Sequence, residues 1–288
     1  KLISLWFRKY TGRALGIASV GVSFAGFVFP NLTSFLLGDL GLTWREAYLL
    51  FGVLIILINI PVVYLFIVNK PSDINQMPDG EEITDNAEDT SGIDWTIPEL
   101  LKDRNFWILS LVFAIQFCSM MGILSHLTFF SEGAGWSLSW GAFIFSMYAW
   151  PAMFSKVFFG WLVENKMDAR VAVSVAILIQ AIATLLMIFV ESPEQMVVLV
   201  MIFGFGGGSA LPLSNILFNQ AYTNKSFGKA RGAAQPFISI FQISGTLVAA
   251  RMFDVFGNYE LAFLTLGFIL IVPLIAIWFL KEEPKLAS

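Results

Sequence analysis

Lys156 places a charge well inside a long apolar stretch, and its surroundings suggest what that charge is for. Tyr148, Ala152, Lys156 and Gly160 recur at i, i+4 spacing with Ser155 beside them, whereas Phe154, Phe158 and Trp161 suit a lipid-facing side. An ammonium in an apolar environment is costly and usually faces a cavity, where it attracts anions. The chemistry would be electrostatic recognition rather than bond making. Lys156 precedes Trp161 by five residues, roughly 8 Å at about 1.5 Å rise per residue, so its stem could instead snorkel to a headgroup layer.

Other polar residues lie in comparable stretches. His126, the sole histidine, stands in Ser125-His126-Leu127, where it either bonds locally or faces a cavity. Gln116, Asn31 and Asn215 are uncharged and suit bonds between helices or the lining of a pathway. Tyr148 and Gln235 are expected to shape a pocket around Lys156. Enzyme motifs are lacking: there are no paired carboxylates, no His/Cys metal spacing and no nucleotide-binding glycine loop. No cofactor or metal is expected. Cys118 is the single cysteine, inside an apolar stretch, and reads as a small buried hydrophobe.

The elements that must position these residues are membrane helices. Hydrophobic residues make up 57% of the chain and charged residues 13%, against about half and about a quarter in a soluble domain. So little charge cannot cover a surface in water. A bilayer core needs about 20 apolar helical residues, and eight stretches qualify: 14–37, 47–68, 106–130, 139–161, 171–190, 196–218, 233–253 and 261–280. They are too long for barrel strands, so the expected fold is an all-α polytopic bundle. Lys and Arg fall overwhelmingly on one side. Lys1, Arg8, Lys9, Arg13, Lys70, Lys102, Arg104, Lys166, Arg170, Lys225, Lys229, Arg231, Lys281 and Lys285 share it, while opposite loops hold only Arg45 and Arg251. Both ends are therefore expected in the cytoplasm. The net charge of −4 comes mostly from the segment 69–104 and argues against nucleic acid as a partner. That segment reads as a solvated linker that buries little, ending in a capping box, Thr96-Ile-Pro-Glu99.

Glycine and proline mark two stretches. Gly16, Gly21, Gly26 and Pro30 in the first suggest a strip of bare backbone for close helix packing, followed by a bend. Gly204, Gly206, Gly207, Gly208 and Pro212 in the sixth suggest either close contact or a hinge. The chain also repeats itself. With Gly12 aligned to Gly228, Lys9 meets Lys225, Ala14 meets Ala230, Ser23 meets Ser239 and Gly41 meets Gly257. A helix pair duplicated across a polar linker is the mark of a transporter built from two like halves.

These residues resemble the major facilitator superfamily of secondary transporters, in particular the branch of monocarboxylate transporters and oxalate/formate exchangers. Trp6-Phe7-Arg8-Lys9 with Gly12-Arg13-Ala14-Leu15-Gly16 is similar to the loop and start of that family's fifth helix, and Asn105-Phe106-Trp107 to the start of its seventh. Gly160-Trp-Leu-Val-Glu164-Asn-Lys166, with Arg170 after it, resembles the cytoplasmic loop motif between helices eight and nine, with Glu164 in place of the usual aspartate and the basic residue one place late. Lys156-Val-Phe-Phe-Gly160 resembles the eighth-helix pattern whose basic residue binds a substrate carboxylate, although Lys replaces the usual Arg and Val157 the usual Pro.

The resemblance implies helices five to twelve of a twelve-helix bundle: 1–68 closing the first half, 69–104 the linker, and 105–288 a complete second half. Relatives that carry dicarboxylates place a second cation near positions 235–240, where this chain has Gln235, Pro236 and Ser239. The implied function is alternating-access transport of a small organic anion, a monocarboxylate, by a monomer in the bilayer, with a coupled proton or an exchanged anion. A carrier of neutral or zwitterionic solutes, and a transport-inactive sensor or scaffold, are the competing readings.

Overall fold

The computed structural model describes residues 3, 6–7, 10–69, 71–74, 76–80, 94–165 and 167–281, with backbone alone at 11–13, 15–16, 19, 80 and 223–224. Eleven α-helices account for most of them: α1 (Thr11–Gly38), α2 (Trp44–Phe66), α3 (Ile97–Lys102), α4 (Arg104–Leu124), α5 (Leu127–Gly133), α6 (Leu138–Asn165), α7 (Ala169–Leu186), α8 (Pro193–Gly208), α9 (Ala210–Phe256), α10 (Glu260–Phe268) and α11 (Ile271–Ala276). No strand occurs among the described residues. Among the described residues, eight helical stretches are long and apolar enough to cross a membrane, so the all-α polytopic bundle is what forms.

Several expected spans differ from the helices observed. The third stretch breaks at Ser125–His126, between α4 and α5, and the sixth breaks at Ser209 behind its glycine run. Glycine is a poor helix former, and Ser209 directs its hydroxyl back to the Gly206 carbonyl at 3.0 Å. The seventh span begins well before residue 233, because α9 is helical throughout. It is not straight. Asn215 and Arg231, 16 residues apart, touch through their side chains, whereas a straight helix would separate them by roughly 24 Å. The helix therefore folds back on itself between Asn215 and Arg231, so that a first limb carries Asn215 and a second carries Arg231. Arg231, expected in a loop, thus stands on the second limb. Its glycines and basic neighbours read as loop signals, yet a helix end outside the apolar core need not be apolar.

Backbone-to-backbone approach decides how the helices sit. A Cβ on Gly204 would lie 2.3 Å from the Tyr148 carbonyl oxygen, and one on Gly208 2.5 Å from Ala152 Cα, so α8 lies directly on α6. Gly206 makes the equivalent approach to α7, 2.6 Å from the Ala176 oxygen. Where α4 crosses the second limb of α9, a Cβ on Gly245 would meet the Cys118 oxygen at 2.0 Å and one on Gly122 the Gly245 oxygen at 2.8 Å. Neither Gly122 nor Gly245 stood out in the sequence. The strip expected on α1 behaves differently. Gly21 has open space around it, Gly26 meets Ala149 Cβ at an ordinary 3.4 Å, and the surroundings of Gly16 lie outside the described residues. Five residues turn a helix by about 500°, so glycines at that spacing cannot all face one neighbour.

The helix α2 buries only Ala47 and is apolar around its whole circumference, with Tyr64 and Phe66 fully in the open. Only lipid or further helices can solvate such a surface. Of the acidic segment, Glu81, Glu82, Asp85, Glu88 and Asp89 lie outside the described residues, as do Lys1, Lys9, Lys70, Lys166 and Lys285. Its end is well built. Glu99 accepts from the Thr96 backbone N–H at 2.8 Å, as the capping box requires. Asp94 pairs with Lys229, the Trp95 N–H donates to Ser226 Oγ, and the Tyr222 hydroxyl donates to the Asp103 carboxylate. The segment is thereby tied to the fold-back of α9.

Two predictions follow from this packing. Gly245→Ala, whose methyl would collide with backbone, should destabilise the protein by about 1–3 kcal/mol or more in detergent unfolding, while Gly21→Ala and Gly52→Ala, with open surroundings, should not. The second concerns Asp168, which caps α7 through the Arg170 N–H and grips the Arg170 guanidinium at 2.9 Å. That guanidinium holds the Asp168 carboxyl below its ordinary value of 3.8. A depressed carboxyl stabilises the fold above that ordinary value and loses the contribution as pH falls through its folded value. Asn caps as well as Asp, so Asp168→Asn isolates the charge. It should lower the melting temperature slightly at pH 7, by less than about 1 kcal/mol equivalent, and the gap should close in strong acid.

Candidate functional site

Lys156 lies on α6 with only 6% of its surface exposed, and its Nζ donates to Ser23 Oγ on α1 at 2.7 Å. The ammonium therefore does not reach for a headgroup layer; it is turned inward, to the seam between α1 and α6. The same seam is joined again one end further out, where Asn31 Nδ2 donates to Ser146 Oγ at 2.7 Å. Residues 146, 149 and 156 thus form the face that α6 turns to α1. Ser23 was not singled out in the sequence, because a serine among Val, Phe, Ala and Gly carries no spacing signal.

Tyr148 belongs to a different face. At about 100° per residue, eight residues rotate Lys156 away from Tyr148 by about 80°, enough to give them different neighbours. The Tyr148 hydroxyl donates to Met120 Sδ at 3.0 Å, and its ring packs on Phe203 with centroids 5.7 Å apart. The expected single stripe from Tyr148 to Gly160 therefore divides: Tyr148 and Ala152 serve α8, Lys156 serves α1, and Gly160 is buried. Ser155, next to Lys156, is wholly buried with a hydroxyl that has no hydrogen-bond partner.

Gln116 is buried in an amide pair with Gln180 of α7, donating from Nε2 to Gln180 Oε1 at 3.3 Å, while Gln180 Nε2 donates to the Gln116 carbonyl. Gln116 Oε1 is left without a partner. Gln180 went unremarked although it is an amide in an otherwise apolar run, Ala176-Ile-Leu-Ile-Gln180-Ala-Ile, which is signal enough. Gly207 lies between the two groups, its missing Cβ 3.4 Å from Gln180 Oε1 and 3.6 Å from the Tyr148 hydroxyl. These residues knit α4, α6, α7 and α8 together.

His126 sits at the break between α4 and α5. Its Nε2 lies 3.1 Å from the Thr246 carbonyl and its Nδ1 3.1 Å from the Tyr259 hydroxyl. A carbonyl only accepts, so Nε2 donates to it, while Nδ1 faces the tyrosine hydroxyl. Both nitrogens are occupied in holding three helices together, and the residue stands apart from Lys156.

Asn215 and Gln235 are brought together by a residue expected elsewhere. Arg231 Nε donates to Asn215 Oδ1 at 3.3 Å, its NH1 donates to Gln235 Oε1 at 2.9 Å, and its guanidinium stands 5.6 Å from the Phe218 ring centroid. Gln235 in turn donates to Ser239 Oγ at 3.1 Å. In the loop motif, Glu164 is exposed, Arg170 pairs with Asp168, and Lys166 lies outside the described residues. Pro212 is buried at the start of α9. Among the described residues no group of three or more His, Cys, Asp or Glu side chains could hold a metal.

The architecture has known counterparts. The chain covers 92% of its own length in matching monocarboxylate transporter 13 of Bos taurus at 24% identity and that of Rattus norvegicus at 25%. An MFS-type transporter of Gibberella moniliformis matches over 89% at 21% identity. The chain spans only 58–59% of the length of these curated relatives. Among solved structures, the E. coli fucose:proton symporter superposes with a TM-score of 0.66 over 98% of this chain and 72% of that one, at 16% identity, which speaks for the fold. The family model of the Major Facilitator Superfamily matches residues 1–193 and again 141–288. Every part of the sequence falls within one match or the other, and with eight apolar helices in the matching fold, this integral membrane chain belongs to the Major Facilitator Superfamily.

Proposed function

We propose that the chain is part of a secondary transporter that moves a small organic anion, a monocarboxylate, by alternating access. The observation that carries this reading is Lys156: an ammonium buried inside a span, held by a neutral hydroxyl on a helix from the other side of the linker. Residues 1–68 would belong to one half, 69–104 to a cytoplasmic linker and 105–288 to the other half, with both ends of the chain on the cytoplasmic side. The α1–α6 seam is then a boundary between halves, and a charge on that boundary is placed to feel the rocking of one half against the other. An arriving carboxylate offers Lys156 a charge-assisted bond, stronger than the serine's. The substrate would thus displace Ser23 and loosen the seam as it binds.

The relatives named as monocarboxylate transporters support the substrate class. The glycine contacts of α8 on α6 and α7 support a bundle in which rigid helices slide rather than bend, with Gly204, Gly206 and Gly208 as bearing surfaces. The anion's charge would be balanced by a coupled proton or an exchanged anion.

In proteoliposomes containing the full-length protein, Lys156→Gln should reduce carboxylate uptake by about 30-fold or more, the scale for losing one partner of a buried charge pair, with the melting temperature little changed. Unchanged uptake would sink the proposal and favour a neutral solute. Ser23→Ala should leave transport intact but change carboxylate affinity only several-fold, because it removes a competitor for Lys156 rather than the charge itself; a loss as deep as that of Lys156→Gln would argue that Ser23 binds substrate directly.

A further inference from the structure

Arg231 carries the more unusual electrostatics of the two cations. Two of its N–H groups are used, both on uncharged amide oxygens, Asn215 Oδ1 and Gln235 Oε1. A guanidinium has five such donors, and no carboxylate among the described residues pairs with this one. The aromatic face of Phe218 backs it. A partly buried guanidinium with neutral anchors keeps its full charge for something else. Nearby Lys229, by contrast, is neutralised by Asp94, and Arg170 by Asp168.

Its position gives that charge a direction. Arg231 lies two residues before the apolar stretch that begins at 233, whereas Lys156 lies five residues inside the one that ends at Trp161, roughly 8 Å. Both positions are taken from the same, Lys/Arg-rich side, so Arg231 is the shallower of the two. From it, Gln235 and Ser239 continue inward at i, i+4 and i+8 in one hydrogen-bonded file. The file ends at a telling residue. In the internal repeat Ser239 is the counterpart of Ser23, the hydroxyl that holds Lys156. Where halves are related by pseudo-symmetry, corresponding residues occupy corresponding places about the pathway.

We propose that Arg231, presented by Asn215 and Gln235, is a docking station for a small carboxylate on the cytoplasmic side, from which the anion passes along Gln235 and Ser239 toward Lys156. The station rests on the anion-transport reading above and adds a second, shallower binding step to it. Because the station lies on one side, it acts on one direction of transport.

The test uses the full-length protein in proteoliposomes, with lactate or formate as probe, and measures KM separately for substrate offered at each face. Arg231→Gln should raise the cytoplasmic KM by about tenfold or more, as expected for losing hydrogen bonds to a charged group, and leave the external KM within about twofold. Asn215→Asp supplies the decisive second variant. It keeps the guanidinium and every packing contact but gives it an internal counter-ion, so it should reproduce the cytoplasmic KM rise while preserving or raising the melting temperature. If Arg231 merely braces the fold-back of α9, Asn215→Asp strengthens that brace and leaves KM unchanged, which overturns the proposal. Equal KM changes at both faces with Arg231→Gln overturn it too. Lys156→Gln is read out separately: if it leaves carboxylate transport intact, the anion reading of the Lys156 site fails, whereas loss with Lys156→Gln and no sidedness with Arg231→Gln removes the docking station alone.

Discussion

The close approach of α8 to α6 is the constraint from which the rest of the structure follows. With Gly204 and Gly208 against the backbone at Tyr148 and Ala152, α6 cannot rotate about its own axis without driving backbone into backbone. Its other faces are then determined. Ser146, Ala149 and Lys156 must look toward α1, and the Lys156 ammonium reaches Ser23. In lipid there is no hydrophobic gain from pressing one apolar helix on another, so contact at this range, with its dispersion and hydrogen bonds, is what holds helices in register. The position of the charge is a consequence of two missing side chains on another helix.

Much of this was legible because a bilayer simplifies the problem. Backbone groups must be satisfied within each segment, so apolar length alone reveals the helices, and the glycine run before Pro212 marked α8 as a helix that either touches its neighbours closely or hinges. Lys156 was equally visible, since a charge among phenylalanines has few readings. What escaped were pairings. An i, i+4 ladder looks like one face over two steps but drifts by about 40° per step, so the run from Tyr148 to Gly160 was read as one stripe when it spans two. Ser23, Gln180, Gly122 and Gly245 are ordinary in type, and their roles exist only through residues far away in the chain.

Arg231 shows the opposite difficulty. Its type was conspicuous, but positive charge beside glycine reads as loop, whereas the chain is helical through it. The fold-back of α9 then returns Asn215 to its side. Nothing in composition distinguishes a cation on a solvated turn from one on a helix that folds back beside its own first limb. The distinction matters, because in the first place water screens the charge and in the second amides and an aromatic ring surround it.

The internal repeat connects these observations. It pairs Ser23 with Ser239, yet the two serines have acquired different company: one accepts from a buried lysine across the seam, the other closes a file that begins at an arginine on its own helix. The repeat carries a hydroxyl at the corresponding position twice, and the charge linked to it is placed differently each time. Two-halved transporters need such asymmetry. If both halves held the anion identically, binding would stabilise each face's opening equally, and differential affinity for two states is the only means by which a ligand shifts an equilibrium between them. On the proposed reading, a deep lysine at the boundary between halves and a shallower arginine within one half would bias that equilibrium unequally, so the departure from the repeat, rather than the repeat itself, would give the bundle a direction.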